Sequence, residues 1–111
     1  MTVKELAEKL GLRFFTGQAG LDRPVTGGYT SDLLSDVIGH SQEGQVWITL
    51  QTHRNIVGVA SLKDLSAIVL VKGFTPDGET IELAETEGIA LLGTSEQAFE
   101  MSGQLYQLIR V

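Results

Sequence analysis

The residues best equipped for chemistry fall in four short polar runs: TGGYTS (residues 26–31), QTHRN (51–55), KGFTPD (72–77) and GTSEQ (93–97). Gly27 and Gly28 could offer backbone N–H groups to an oxyanion. Thr30, Ser31, Thr49 and Thr52 could offer hydroxyls, Gln51 and His53 polar contacts, and Arg54 a positive charge. Together they outline a rim for a nucleotide or phosphorylated metabolite. Helix N-caps compete for the same residue types, because Ser, Thr, Asn and Asp satisfy the free amides of a first turn. Thr94 and Ser95 read as caps, whereas QTHRN holds more polar types than capping needs.

Several chemistries are excluded or disfavoured. There is no G-x-x-x-x-G-K-[ST] loop for nucleoside triphosphate transfer, no G-x-G-x-x-G turn for a dinucleotide, and no G-x-S-x-G elbow for a hydrolase. His40 and His53 are the only histidines, their spacing suits no transition metal, and cysteine is absent. Glu79, Glu82, Glu85 and Glu87 surround one expected helix and read as a solvated face. No catalytic residue, metal or cofactor is therefore expected. A net charge of −6 with only 8 scattered Lys and Arg disfavours nucleic acid and anionic membranes as partners. The first residues lack the apolar core of a signal peptide, and the most apolar window, 56–71, is interrupted by Lys63 and Asp64. A cytoplasmic protein is the expectation.

The elements that must position these runs alternate. Thr2 and Glu5 form a capping-box pattern ahead of Val3, Leu6, Ala7 and Leu10, and Gly11 suits the left-handed exit. A strand is expected over 12–16, then glycine turns and the irregular RPVTGGY. Helices are expected over 32–38, 55–65 and 79–87, and strands over 46–50, 67–71 and 89–93. A last helix follows a second capping pattern at Thr94 and Gln97. Continuous apolar runs such as AIVLV fit strands covered on both faces. The expected fold is a single-domain three-layer α/β/α sandwich over residues 1–111 with a mainly parallel sheet of four to five strands. The last helix spreads Phe99, Met101, Leu105, Tyr106, Leu108 and Ile109 over more than one stripe, which suggests a second buried face and a dimer.

Two features stay open. Gly27 and Gly28 read either as a turn needing positive φ or as an anion cradle at a helix start, where the Asp32 carboxylate would already occupy the positive end. Arg23 and Asp22 read either as an anchoring ion pair or as a ligand clamp.

Asp22, Arg23, Thr26, Gly27 and Gly28, running on through Tyr29, Thr30, Ser31 and Asp32 to Leu33, resemble the signature of the DRTGG domain. The resemblance extends through residues 31–73, so it covers nearly the whole chain. Pro24 and Val25 separate Arg23 from Thr26, which makes the motif spaced. DRTGG domains are similar to the N-terminal domain of HPr kinase/phosphorylase and, more distantly, to Mur-ligase N-terminal domains, which implies a three-layer α/β fold. In Mur ligases that domain contacts a uridine nucleotide. In HPr kinase it is regulatory or architectural, with the catalytic P-loop elsewhere. Other DRTGG domains stand beside CBS pairs, where adenine nucleotides bind the CBS part and the DRTGG part helps dimerise. The resemblance makes Asp22, Arg23, Thr26 and Asp32 structural motif residues. It implies a non-catalytic regulatory module, a homodimer with a regulatory protein partner, or else a nucleotide sensor. Without a P-loop the chain is not expected to be a stand-alone serine kinase.

Overall fold

A computed structural model describes residues 1–110; Val111, the end of the expected last helix, lies outside the described residues. The chain runs α1 (Val3–Leu10), β1 (Arg13–Phe14), β2 (Gly27–Thr30), α2 (Leu34–His40), β3 (Gln45–Thr49), α3 (Asn55–Lys63), β4 (Ala67–Leu70), α4 (Gly78–Glu87), β5 (Ala90–Gly93) and α5 (Ala98–Ile109). The five strands form one sheet in the order β1-β5-β4-β3-β2. The four strands β2 to β5 are parallel, and β1 joins β5 antiparallel.

Side chains along each strand point alternately to the two faces, and both faces are apolar. Val46, Ile48, Val69 and Leu92 point to the side of α1 and α5, where they meet Leu6, Met101 and Leu105. Trp47, Ile68, Leu70 and Leu91 point the other way, against Val37, Ile56, Val57 and Ala84 of α2, α3 and α4. The result is a three-layer α/β/α sandwich with its core in two slabs.

Local rules explain most boundaries. At α1 the capping box forms: the Glu5 amide donates to Thr2 Oγ1 at 3.2 Å, and the Thr2 amide donates to Glu5 Oε1 at 2.9 Å. The second expected box does not. α5 begins at Ala98 with Gln97 as its uncapped lead residue, and the Thr94 hydroxyl accepts from the Glu96 amide instead. The strand expected over 12–16 shrinks to two residues. After Phe15, whose amide donates to the Leu91 carbonyl, the backbone leaves the ladder, and the Thr16 hydroxyl takes the bond from the Leu91 amide at 3.0 Å.

The chain then wraps back along α1, with the Lys4 amide on the Leu21 carbonyl and the Val3 amide on the Arg23 carbonyl. It enters β2 from the amino-terminal edge of the sheet. The helix expected over 32–38 starts two residues later, at Leu34, because Asp32 is engaged elsewhere.

Candidate functional site

The two ends of the parallel strands separate the polar runs. At the amino-terminal end, the segment 22–26 acts as a strap. Arg23 Nη1 pairs with Asp64 Oδ1 at 3.1 Å and reaches the Leu65 carbonyl at 3.5 Å. Asp64 terminates α3 in the left-handed conformation, so Arg23 holds the corner between α3 and β4. The Ser66 hydroxyl donates to the Pro24 carbonyl. Thr26 donates through Oγ1 to the Glu43 carbonyl at 2.9 Å and through its amide to Gly44 at 3.0 Å. Gly44 has φ +83, and a Cβ there would stand 2.6 Å from Thr26 Oγ1. Asp22 is not the partner of Arg23; it lines a shallow groove with Thr2, Lys4, Gln18 and Leu21.

Gly27 and Gly28 correct the expectation of a glycine turn. Both lie inside β2, opposite Gln45 and Val46, and neither has positive φ. The requirement at Gly28 is close approach: a Cβ would stand 2.7 Å from Leu105 Cδ2 of α5. Their amides therefore belong to a strand and do not face a helix dipole.

At the carboxyl-terminal end, Thr30 and Thr49 finish β2 and β3. Asp32 bridges them: its Oδ1 accepts from Thr49 Oγ1 at 2.9 Å and from the Leu50 amide at 2.8 Å. Its carbonyl accepts from Gln51 Nε2 at 2.9 Å. The Ser31 carbonyl takes the indole N–H of buried Trp47 at 2.8 Å, and Ser31 Oγ accepts from the Leu33 amide. Tyr29 donates its hydroxyl to Asp36 Oδ2 at 2.9 Å. That bond, with a smaller contribution from Ser31, holds the Asp36 carboxyl below its ordinary range, while desolvation first and Asp36 second push the Tyr29 phenol up.

The QTHRN run turns toward α4. The Thr52 carbonyl accepts from the Asp77 amide at 3.2 Å and from Thr80 Oγ1 at 2.8 Å. His53 Nδ1 lies 2.8 Å from Asp77 Oδ2, and Arg54 Nη1 lies 4.0 Å from Glu79, all on exposed side chains. Thr30 faces the opposite slab, with its hydroxyl 2.7 Å from Ser102 Oγ of α5. The structure thus joins Asp32, Thr49 and Gln51 in one hydrogen-bonded group, with Ser31 bonded separately to Leu33, Ile48 and Trp47, and Thr52 and His53 in another group with Asp77 and Thr80. Gly28 and Thr30 line a separate hollow of about 180 Å³ against Leu105 and Tyr106, while Arg54 lines a groove with Glu79 and Glu82. No one of these hollows collects all nine candidate ligand residues. Among the described residues no group of three or more metal-ligating side chains forms.

Two places are better exposed to a partner than the sequence suggests. A cleft of about 190 Å³ joins Arg13 and Phe15 to Phe74, Thr94 and Ser95, and Arg13 lies 4.8 Å over the Phe15 ring. Its signal was hidden because nothing local says that β1 docks antiparallel beside β5. The other is α5, where Phe99 is 85% and Tyr106 64% exposed. The breadth of its apolar pattern was legible, but which of its residues face outward was not. Among the described residues no helix is long and apolar enough to cross a membrane.

No family model matches the chain, and no curated protein does. Among solved structures it is similar to the CBS and DRTGG domains of the regulatory region of Clostridium perfringens pyrophosphatase, in complex with the activator diadenosine tetraphosphate. The TM-score is 0.71 at 18% identity, and the match covers 94% of this chain and 45% of that one. The chain has a DRTGG-like fold, and it spans less than half the length of that structure.

Proposed function

We propose that residues 1–111 form one DRTGG-type domain acting as a non-catalytic regulatory module of the cytoplasm, working as a homodimer with a protein partner. The observation that carries this is α5: two aromatic side chains stand in solvent on one helix beside Leu10 and Leu108. Exposed aromatic patches of this kind are characteristic of interaction surfaces. The polar groups of the DRTGG-like stretch serve the fold, which fits a scaffold or regulatory role better than a reaction. The likeness to a regulatory region supports it, as does the resemblance to the non-catalytic N-terminal domain of HPr kinase/phosphorylase. Sedimentation equilibrium at tens of micromolar tests it: a mass of two chains is expected, and a single chain across the whole range would refute the homodimer.

A second reading is a small-ligand sensor, favoured by the hydroxyl-rich carboxyl-terminal edge of the sheet, where ligands of open α/β sheets gather. The neighbouring structure's complex with a dinucleoside polyphosphate makes nucleotides the first compounds to try. Binding at a hundred times the dissociation constant stabilises by about 2.7 kcal/mol, several degrees of melting temperature for a domain of this size. A nucleotide and phosphometabolite panel that leaves the melting temperature unmoved would rule this reading out for those compounds.

A further inference from the structure

We infer that the partner seated on α5 is a second copy of this chain, packed with its own α5 antiparallel across a two-fold axis beside Ser102 and Gly103. The inference rests on the homodimer reading above and names its surface. Phe99, Gly103, Tyr106 and Arg110 follow one another at spacings of four, three and four, so they form one outward stripe, opposite the stripe that buries Met101 and Leu105. Ser102 and Gly103 stand at the midpoint between the two exposed aromatics. An antiparallel copy crossing there brings each Phe99 to the other copy's Tyr106, so one patch is complementary to itself, as an isologous contact requires.

Gly103 supports the crossing point. Glycine weakens a helix interior, and nothing inside the chain demands it: a Cβ there would meet no atom within 4 Å, and φ is helical. Gly39 and Gly58 are likewise unhindered in their helices, but neither lies between two exposed aromatics. At Gly103 the missing side chain lets a second helix backbone approach closely.

Charge points the same way. The chain carries −6, yet the stripe and the surface around it carry Lys9 and Arg110 beside a single carboxylate, Glu100, so the patch escapes the overall negative charge. Two copies meeting here avoid opposing carboxylate clusters, and each Glu100 faces a surface that carries Lys9 and Arg110.

The test exploits a chain without cysteine, in which one introduced thiol reports alone. Gly103→Cys lies beside the axis and meets its own copy, so mild oxidation is expected to convert most of the protein to a disulfide-linked dimer. Leu62→Cys, 70% exposed on α3 in the opposite layer, is the control and is expected to stay largely uncrosslinked. In the wild-type background, Phe99→Asp and Tyr106→Asp are each expected to halve the sedimenting mass while retaining a cooperative melt. If the wild type is dimeric and Gly103→Cys crosslinks no better than Leu62→Cys, the axis lies elsewhere: this inference falls and the homodimer stands. A monomeric wild type overturns both.

Discussion

Asp32 illustrates how a polar residue in a promising loop can be consumed by the fold. As a residue type it could occupy a helix start or touch a ligand. Its carboxylate instead joins the ends of β2 and β3 through Thr49 and the Leu50 amide. Tyr29 and Asp36 make a similar bond one turn away, and it gives the protein a pH signature. Asp36 is depressed in the folded state, so its contribution is present above the ordinary carboxylate pKa of about 4 and is lost as pH falls through the lower folded value. Tyr29 is raised, so its contribution is complete below about pH 10 and is lost as pH rises through the higher folded value. The stability gap between wild type and Tyr29→Phe is therefore expected to be widest between about pH 5 and 9 and to narrow on both sides. Urea midpoints along a pH series would show this, and a gap constant with pH would mean that the two groups are not coupled in the native state. The partners of Asp32 were not legible in the residues alone, because they lie on β3, which only the sheet order brings beside β2, and the Tyr29 bond depends on how α2 turns back over the strand seven residues before it.

At the scale of elements, what is local was legible and what is relational was not. The Thr2 and Glu5 box formed because both partners lie within one turn. The Thr94 and Gln97 pattern has the same spacing but opens no helix. The loop from Thr94 to Glu96 is instead tied to residues 72–73, with the Lys72 amide on the Glu96 carbonyl and the Gly73 amide on the Thr94 carbonyl. Gly28 makes the same point for a strand: its type alone fits a turn or an anion cradle, and the reason for it is a helix almost eighty residues later. The pairing of β2 with α5 gives a sharp comparison. Gly27→Ala meets only ordinary contacts with Gln45, at 3.6 Å, and is expected to be tolerated. Gly28→Ala, with its Cβ 2.7 Å from Leu105, forces a buried leucine to move and is expected to cost about 1–3 kcal/mol. Equal denaturation midpoints for the two variants would show that α5 does not press on β2 as described.

At the scale of the whole molecule, the layered architecture followed from the alternation of apolar strands and amphipathic helices. The strand order, and the antiparallel β1 at one edge, did not follow from any window of sequence. Net charge acts at this scale too. Two copies carrying −6 each repel at long range, whereas the α5 surface proposed for their contact carries Lys9 and Arg110 beside Glu100. Added salt, from about 0.02 to 0.3 M, is therefore expected to tighten self-association by screening the long-range term. Sedimentation across that range would measure it, and weakening with salt would mean that ion pairs between Lys9 and Glu100 dominate the contact.

The edges of the sheet have a bearing on what the protein avoids. One edge is β1, two residues long, and the other is β2, four residues long and entered just after Pro24. Edges this short offer little template for a stranger's backbone. The apolar strands AIVL and VWIT, which would be strongly prone to fibril formation if bared, lie in the interior of the sheet with partners on both sides. In a crowded solution the folded chain therefore offers little for other chains to extend into ordered polymers, and its resistance to that fate depends on keeping those two strands covered.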